Sequence, residues 1–192
     1  MISYEGNLTR LRPLRRSDQA RTLAWRNDPE TRENILGYRF PVTEVMEEKW
    51  YETALDDQSR TRVIFAIEAR DSGALAGMIH LNNIDWIARH AHFGITIGEP
   101  DQRGRGLGPD AMTVLFTYAF ECLNLRKICL EVAAYNQPAV SLYARYGFSE
   151  EGRLRDHVFL EGRYHDVIMM GLFATDFRRR NNTAAAPAEV MA

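Results

Sequence analysis

Two short stretches of the chain carry residue types at spacings that could do chemistry. Residues 98–112 read GEPDQRGRGLGPDAM, where Gly104, Gly106 and Gly108 alternate with Arg105 and Leu107 behind Arg103, just ahead of an apolar run. A helix start leaves about four backbone N–H groups without partners, and these carry the positive end of the helix dipole. Glycines let the backbone before such a helix take positive φ and close on an anion, and two arginines can add charge-assisted bonds. Pro109 suits a first helical turn, where its missing N–H is not needed. The G-x-G-x-G spacing is neither the G-x-x-x-x-G-K-[ST] nor the G-x-G-x-x-G of better-known phosphate loops. Read alone, the stretch is either a phosphate cradle built by the backbone of residues 103–108 or a flexible turn with solvated arginines.

The second stretch, residues 136–148, reads NQPAVSLYARYGF and sets Asn136, Ala139, Tyr143, Gly147 and Phe148 in the pattern N-x-x-A-x-x-x-Y-x-x-x-G-F. Ala139 and Tyr143, four apart, share one face of a helix that holds Pro138 in its first turn. A phenol with a pKa of about 10 keeps its proton at neutral pH and can donate it to a thiolate whose conjugate acid lies at about 8.5. Tyr143 is therefore a candidate general acid, a packing tyrosine being the alternative. Tyr146 faces another direction and is the second candidate.

The elements that must position these residues follow from periodicity. Alternation over 7–14 predicts a first strand. Ser17 and Asp18 then cap one or two short helices broken near Pro29. Thr43 caps an amphipathic helix over 42–57, with Val45, Met46, Lys49, Trp50 and Thr53 expected on its apolar face. Runs at 62–69, 74–84 and 90–98 predict an antiparallel meander, the first two joined by a turn at Asp71, Ser72 and Gly73. In the third run Phe93, Ile95 and Ile97 alternate with His92, Gly94 and Thr96. A buried helix over 109–125, a strand over 127–134, a helix over 137–146 and two strands hinged at 161–163 complete the pattern. The tail from residue 178 has no apolar face and is expected to be disordered, which leaves 1–177 as a single domain. This order predicts an α/β (mixed α+β) layer with one helical face.

The bulk composition excludes several classes. The chain has 192 residues, 45% of them apolar and 26% charged, enough for an ordinary buried core. A formal net charge of -2 does not describe a polycation built for nucleic acid. No apolar stretch approaches the roughly 20 residues that span a bilayer, and the N-terminus lacks the apolar centre of a signal peptide. A cytoplasmic protein with neither a nucleic-acid nor a membrane partner is expected. Cys122 and Cys129 match no metal or disulfide pattern and are expected to be small buried hydrophobes.

Arg103, Gly106 and Gly108 spell R-x-x-G-x-G at a helix start. LNLRKICLEV (123–132), the N-x-x-A-x-x-x-Y-x-x-x-G-F pattern and EGRLRD (151–156) follow, and then G-x-Y-x-D at 162–166. In that order they resemble the GNAT superfamily of N-acetyltransferases. The nearest branch holds the ribosomal-protein N-terminal (RimJ/RimL-like) and spermidine acetyltransferases, to which LRPL (11–14) and WRNDPE (25–30) are also similar. The likeness runs from about residue 7 to 177 and fades over 35–62, where acceptor specificity resides in this family.

The resemblance implies a central mixed, mostly antiparallel sheet of about seven strands, flanked by helices and splayed where the pantetheine arm of acetyl-CoA enters. The backbone of Arg103, Gly104, Arg105, Gly106, Leu107 and Gly108 would bind the pyrophosphate. Ile95 to Ile97 would offer backbone groups to the pantetheine, and Asn136 would contact that arm or orient Tyr143. Coenzyme A would leave as product, and a homodimer is plausible by analogy. The acceptor would be the primary amine of a small molecule (polyamine, amino sugar, amino acid or antibiotic). The alternatives are a protein N-terminus and a non-catalytic CoA-binding module.

Acetyl transfer from a thioester needs a neutral amine, stabilisation of the developing oxyanion and a proton for the departing thiolate. Related sequences often carry an acidic residue in the strand before the loop, as AEF; here AHF puts His92 there. A partly neutral imidazole can take the proton directly or through water, an ordinary strand histidine being the alternative. Glu131, Asp85 and Glu33 are further candidates for holding a cationic amine. His90 and His92 lie two apart but have no third ligand at a telling spacing, so no metal is expected.

Overall fold

The computed structural model describes residues 4–36 and 40–185, with side chains through residue 181. Strands β1 (Thr9–Pro13), β2 (Val63–Ala69), β3 (Leu75–Asp85), β4 (His90–Ile97), β5 (Lys127–Ala133), β6 (Ser149–Leu160) and β7 (Arg163–Phe173) form one seven-stranded sheet. Their order is β1-β2-β3-β4-β5-β7-β6, and every neighbouring pair is antiparallel except β4 and β5. Six helices flank it: α1 (Gln19–Asn27), α2 (Pro29–Asn34), α3 (Glu44–Leu55), α4 (Leu107–Thr117), α5 (Gln137–Arg145) and α6 (Ala174–Ala185). Among the described residues no helix is long and apolar enough to cross a membrane.

The parallel pairing of β4 with β5 covers only His90↔Lys127, Ala91↔Ile128 and His92↔Cys129. Beyond it the strands diverge, although each stays paired on its outer side. β3 holds β4 from Ile97 back to His90, and β7 holds β5 from Lys127 to Ala133. This is the splay that the family resemblance implies, and it falls at the C-terminal halves of both strands.

The alternation read from the sequence places the side chains correctly. Phe93 joins the larger core, with Ile95 and Ile97 against it, among Leu81, Phe116, Leu130 and Phe148. The opposite face carries a smaller cluster, Leu14, Trp25, Tyr51, Ala66 and Leu75, under α1 and α3. The break between α1 and α2 lies where expected. Asp28 caps α2 by accepting the Thr31 N–H at 2.8 Å and its hydroxyl at 2.7 Å, with Pro29 in the first turn.

Four expectations need correction. Thr43 does cap α3, accepting from the Met46 N–H at 3.2 Å, but the buried face holds Glu47 and Tyr51 while Val45 and Met46 are 59% and 53% exposed. The Glu47 carboxylate turns inward onto two partners: one oxygen accepts from the Thr22 hydroxyl at 2.6 Å and the other forms an ion pair with Arg26 at 2.8 Å. The Arg26 guanidinium in turn stacks on Trp50, 4.0 Å from the ring centroid. The helix expected over 109–125 begins at Leu107, so Gly108 lies in its first turn, and it ends in a π turn, Tyr118–Cys122. That turn leaves Cys122 exposed, whereas Cys129 is half-buried and its thiol is pushed up by burial.

The fourth correction concerns the tail, which is helical as far as Ala185 and not disordered from residue 178. Phe177 anchors it, buried against Phe116 and Phe120 with ring centroids 6.1 and 5.3 Å away, and Arg178 pairs with Glu121 at 2.8 Å. Residues 186–192 lie outside the described residues.

The N-terminus of α4 is tied to the far edge of the sheet by Asp110. Its carboxylate accepts the backbone N–H groups of Asn7 (2.9 Å), Leu8 (3.0 Å) and Thr9 (2.9 Å) and the Thr9 hydroxyl (2.6 Å). Asp110→Ala removes four hydrogen bonds to a charged acceptor and should cost about 2–3 kcal/mol, not their full sum, because Asn7 and Leu8 can turn to water. For a chain of this size the midpoint of thermal unfolding should fall by roughly 5–10 °C, measured by scanning calorimetry.

Candidate active site

Where β4 and β5 part, a cavity of about 1030 Å3 runs from one face of the sheet to the other. On the α5 face it is lined by Phe93, Ile95, Leu130, Val132, Ala139 and Tyr143. On the α1–α3 face His80, Asn82, His92 and Glu131 reach it from the strands, with Trp25 and Arg26 from α1 and Trp50 and Thr53 from α3.

The local sequence aims Tyr143 into this gap. Asn136 caps α5 by accepting the Ala139 N–H at 3.2 Å, Pro138 stiffens the first turn, and Ala139 and Tyr143 then fall on the same inward face. The Tyr143 ring packs edge-on against Phe93 and tilted against Phe148, at 6.1 and 5.8 Å between centroids. Its hydroxyl has no partner among the described residues, and burial pushes its pKa up to about 12, so the phenol is protonated at neutral pH. Tyr146 differs. Its hydroxyl is bonded to the Pro109 carbonyl and to the Thr113 hydroxyl, under the guanidinium of Arg180, and it does not line the cavity.

The glycine loop sits next to the cavity. Gly104 (φ +73°) and Gly106 (φ +83°) are both left-handed, and Gly106 is the N-cap of α4. None of the N–H groups of residues 104–108 meets an acceptor among the described residues, so five donors in sequence surround one helix start. A Cβ on Gly108 would lie 3.8 and 3.9 Å from the side chains of Ile97 and Ile95, which sets the loop against the last residues of β4. Ile95 lines the cavity while Ile97 borders the loop.

The arginine side chains of the loop are engaged elsewhere. Arg103 donates to the carbonyls of Ile97 and Gly98 and to the Thr31 hydroxyl, and pairs with Glu30 at 2.6 Å. Arg105 donates to Gln102 at 2.6 Å and pairs with Asp71 at 2.5 Å. Both therefore hold the loop in place, and the donors it presents are those of the backbone.

Of the carboxylates weighed from sequence, only Glu131 lines the cavity, two residues past the last β4–β5 pair and without a partner among the described residues. Asp85 turns the β3–β4 hairpin by accepting the N–H groups of Ile87 and Ala88, each at 2.8 Å. Glu33 is exposed on α2, where its backbone carbonyl accepts from the Tyr135 hydroxyl at 2.5 Å. No group of three metal-ligating side chains occurs among the described residues.

Sequence reasoning missed His80. It projects from β3 over Gly94, where a Cβ would fall 2.3 Å from Nε2, so the strand glycine is what makes room for the imidazole. That glycine facing a histidine across the β3–β4 register (His80↔Gly94) was the available signal. Burial first, and the charge of Arg26 second, push the His80 pKa down to about 4, leaving a neutral imidazole at the cavity wall.

The acetyltransferase (GNAT) domain family model matches residues 9–149, a span that takes in the glycine loop, the splay and Tyr143. The chain belongs to this GNAT family. It is 32% identical over 177 residues to the spermidine N(1)-acetyltransferase of Escherichia coli (strain K12), covering 91% of this chain and 90% of that protein. It is 26% identical over 114 residues to the [ribosomal protein uS5]-alanine N-acetyltransferase of the same strain, covering 59% and 58%. A crystal structure of the Vibrio cholerae spermidine N-acetyltransferase with CoA and spermine superposes with a TM-score of 0.80 at 31% identity, over 89% of this chain and 98% of that one. This GNAT protein is thus an acyltransferase that uses acetyl-CoA to acetylate an amine, built on the mixed sheet of its relatives.

Because the folded-state pKa of His80 lies below the value of an unfolded histidine, the unfolded chain binds the extra proton between about pH 4 and 6.5. Stability should therefore fall as pH drops through that window. His80→Gln should flatten the fall, seen as a smaller loss of thermal midpoint between pH 6.5 and 4.5.

Proposed function

We propose that this acetyltransferase acts on a small primary amine entering from the α1–α3 face, with Tyr143 as general acid. One observation carries the reading: a protonated, unpartnered phenol faces the gap through the sheet from the side opposite the polar groups His92, Asn82 and Glu131. Donor and acceptor can then approach each other from opposite faces and meet where β4 and β5 part.

The residues present suit the coenzyme. Five free N–H groups at a helix start match a pyrophosphate, and the backbone of β4 beyond His92 has no strand partner on its β5 side, so it can pair with the amide-bearing pantetheine arm. Bound there, acetyl-CoA supplies an activated thioester carbonyl and a sulfur leaving group. Asn136 fixes α5, and through it the direction of Tyr143. Glu131 holds the ammonium of the acceptor, and His92, at the last paired position of β4, accepts its proton directly or through water. Phe93 and Phe148 keep water from the phenol, which delivers its proton to the sulfur.

Tyr143→Phe should lower kcat at least tenfold while acetyl-CoA affinity by calorimetry is unchanged; an unaltered kcat removes Tyr143 from the mechanism. With its pKa at about 12, wild-type activity should rise with pH as the amine loses its proton and show no descending limb below about pH 10. Gly106→Val puts a β-branched residue at φ +83° with its Cβ 3.3 Å from Leu8, and should abolish acetyl-CoA binding. Gly108→Ala, whose Cβ makes ordinary contacts, should retain it.

A further inference from the structure

The acceptor side of the cavity has an unusual charge inventory for a site whose relatives bear polyamine names. Its lining among the described residues includes two carboxylates, Asp57 and Glu131, and two guanidiniums, Arg26 and Arg62. Asp57 is ion-paired with Arg62, which also donates to the Thr53 carbonyl at 2.7 Å. Arg26 is paired with the buried Glu47. Glu131 alone carries a charge without a partner among the described residues.

One stripe of α3, which reaches the cavity through Trp50 and Thr53, shows how this arises. Glu47, Trp50 and Thr53 follow at helical spacing, with Asp57 just past the helix end. The acids at both ends of that stripe are matched by Arg26 and Arg62, and its middle is an indole and a hydroxyl. The remaining acids of the segment, Glu44, Glu48, Glu52 and Asp56, are exposed to solvent. Elsewhere the lining holds uncharged hydrogen-bonding groups: His80, held neutral, the Ser59 and Thr61 hydroxyls, which bond each other at 2.7 Å, and the amides of Asn34, Asn82 and Asn83. The side-chain amides of Asn82 and Asn83 have no partner among the described residues, so each can donate and accept.

We infer that the acceptor is a monoamine with an uncharged, hydroxyl-bearing body, such as an amino sugar or amino alcohol, and not a polyamine. The inference rests on the acetyl-transfer reading above. One ammonium meets one free carboxylate, and hydroxyls on the rest of the molecule meet amides, hydroxyls and a neutral imidazole. A polyamine presented for transfer at one end brings at least one further ammonium into the same cavity. Matching that charge requires a second free carboxylate, and what the lining offers it is two closed ion pairs and neutral dipoles. An unmatched charge on the competing substrate is a source of specificity.

The test is coenzyme A release by the full-length protein with saturating acetyl-CoA. The acceptors are glucosamine, a hydroxylated alkylamine, spermidine, spermine and a short peptide with a free N-terminus, with kcat/KM corrected for the fraction of unprotonated amine. The expected result is a kcat/KM at least tenfold higher for the better hydroxylated monoamine than for either polyamine. Asn82→Asp, which adds a second carboxylate beside His92, should narrow that gap at least threefold through the KM for spermidine. Spermidine or spermine turning over as well as or better than the monoamines overturns the inference, as does the peptide proving best. So does turnover of no amine by a protein that binds acetyl-CoA. Failure to bind acetyl-CoA at all, by calorimetry, instead overturns the coenzyme-site reading on which the inference stands.

Discussion

Backbone pairing between β4 and β5 stops after His92 and Cys129, in the middle of a seven-stranded sheet, and the other elements are arranged around that interruption. Interior strands ordinarily pair on both sides, because an unpaired buried amide costs as much as a lost hydrogen bond. Here the inward-facing groups beyond that point open onto the cavity, and each strand is held in place by its outer neighbour, β3 for β4 and β7 for β5. The mouth of the gap is bridged by α2. Arg103, just after β4, reaches Thr31 and Glu30 on that helix, and Tyr135, just after β5, bonds the Glu33 carbonyl. Two strands that have lost each other are thus both fastened to the same short helix.

A second regularity is that nearly every charged side chain around the gap is neutralised within the protein. Arg103 is matched by Glu30, Arg105 by Asp71, Arg26 by Glu47 and Arg62 by Asp57. Among the described residues, what remains free around the gap is backbone N–H at the glycine loop, one phenol, the amides of Asn82 and Asn83 and the Glu131 carboxylate. Fixed dipoles on rigid elements stabilise charge without having to reorganise, so the arrangement suits a site that must hold an anionic coenzyme at one end and exchange protons at the other.

Much of this was legible in the sequence, and the reasons are local. The phase of Phe93, Ile95 and Ile97 follows from strand alternation alone, and the αL glycines are visible because few other residues hold those backbone angles. Tyr143 could be aimed because a cap, a proline and a four-residue spacing define one helix face. What could not be read depends on partners distant in sequence. The loop arginines look like anion ligands until Asp71 and Glu30 are brought to them by folding. The C-terminal helix looks polar until Phe177 finds Phe116 and Phe120. His80 looks like an isolated strand histidine until Gly94 is placed opposite it.

The helix α3 shows the limit most clearly, because there the hydropathy pattern points the wrong way. Val45 and Met46 are the apolar residues a moment would bury, yet Glu47 and Tyr51 are the ones at zero exposure. The deciding energy is not transfer of apolar surface. It is the pairing of one carboxylate with Thr22 and Arg26, with the arginine stacked on Trp50, a network that exists only when α1 lies alongside. This polar solution borders the site. The face built on five buried apolar residues and the ion pair lies beside the cavity, which Trp50 and Thr53 of α3 line. Burial of this helix is set by pairing, and pairing leaves no periodic mark in a single sequence.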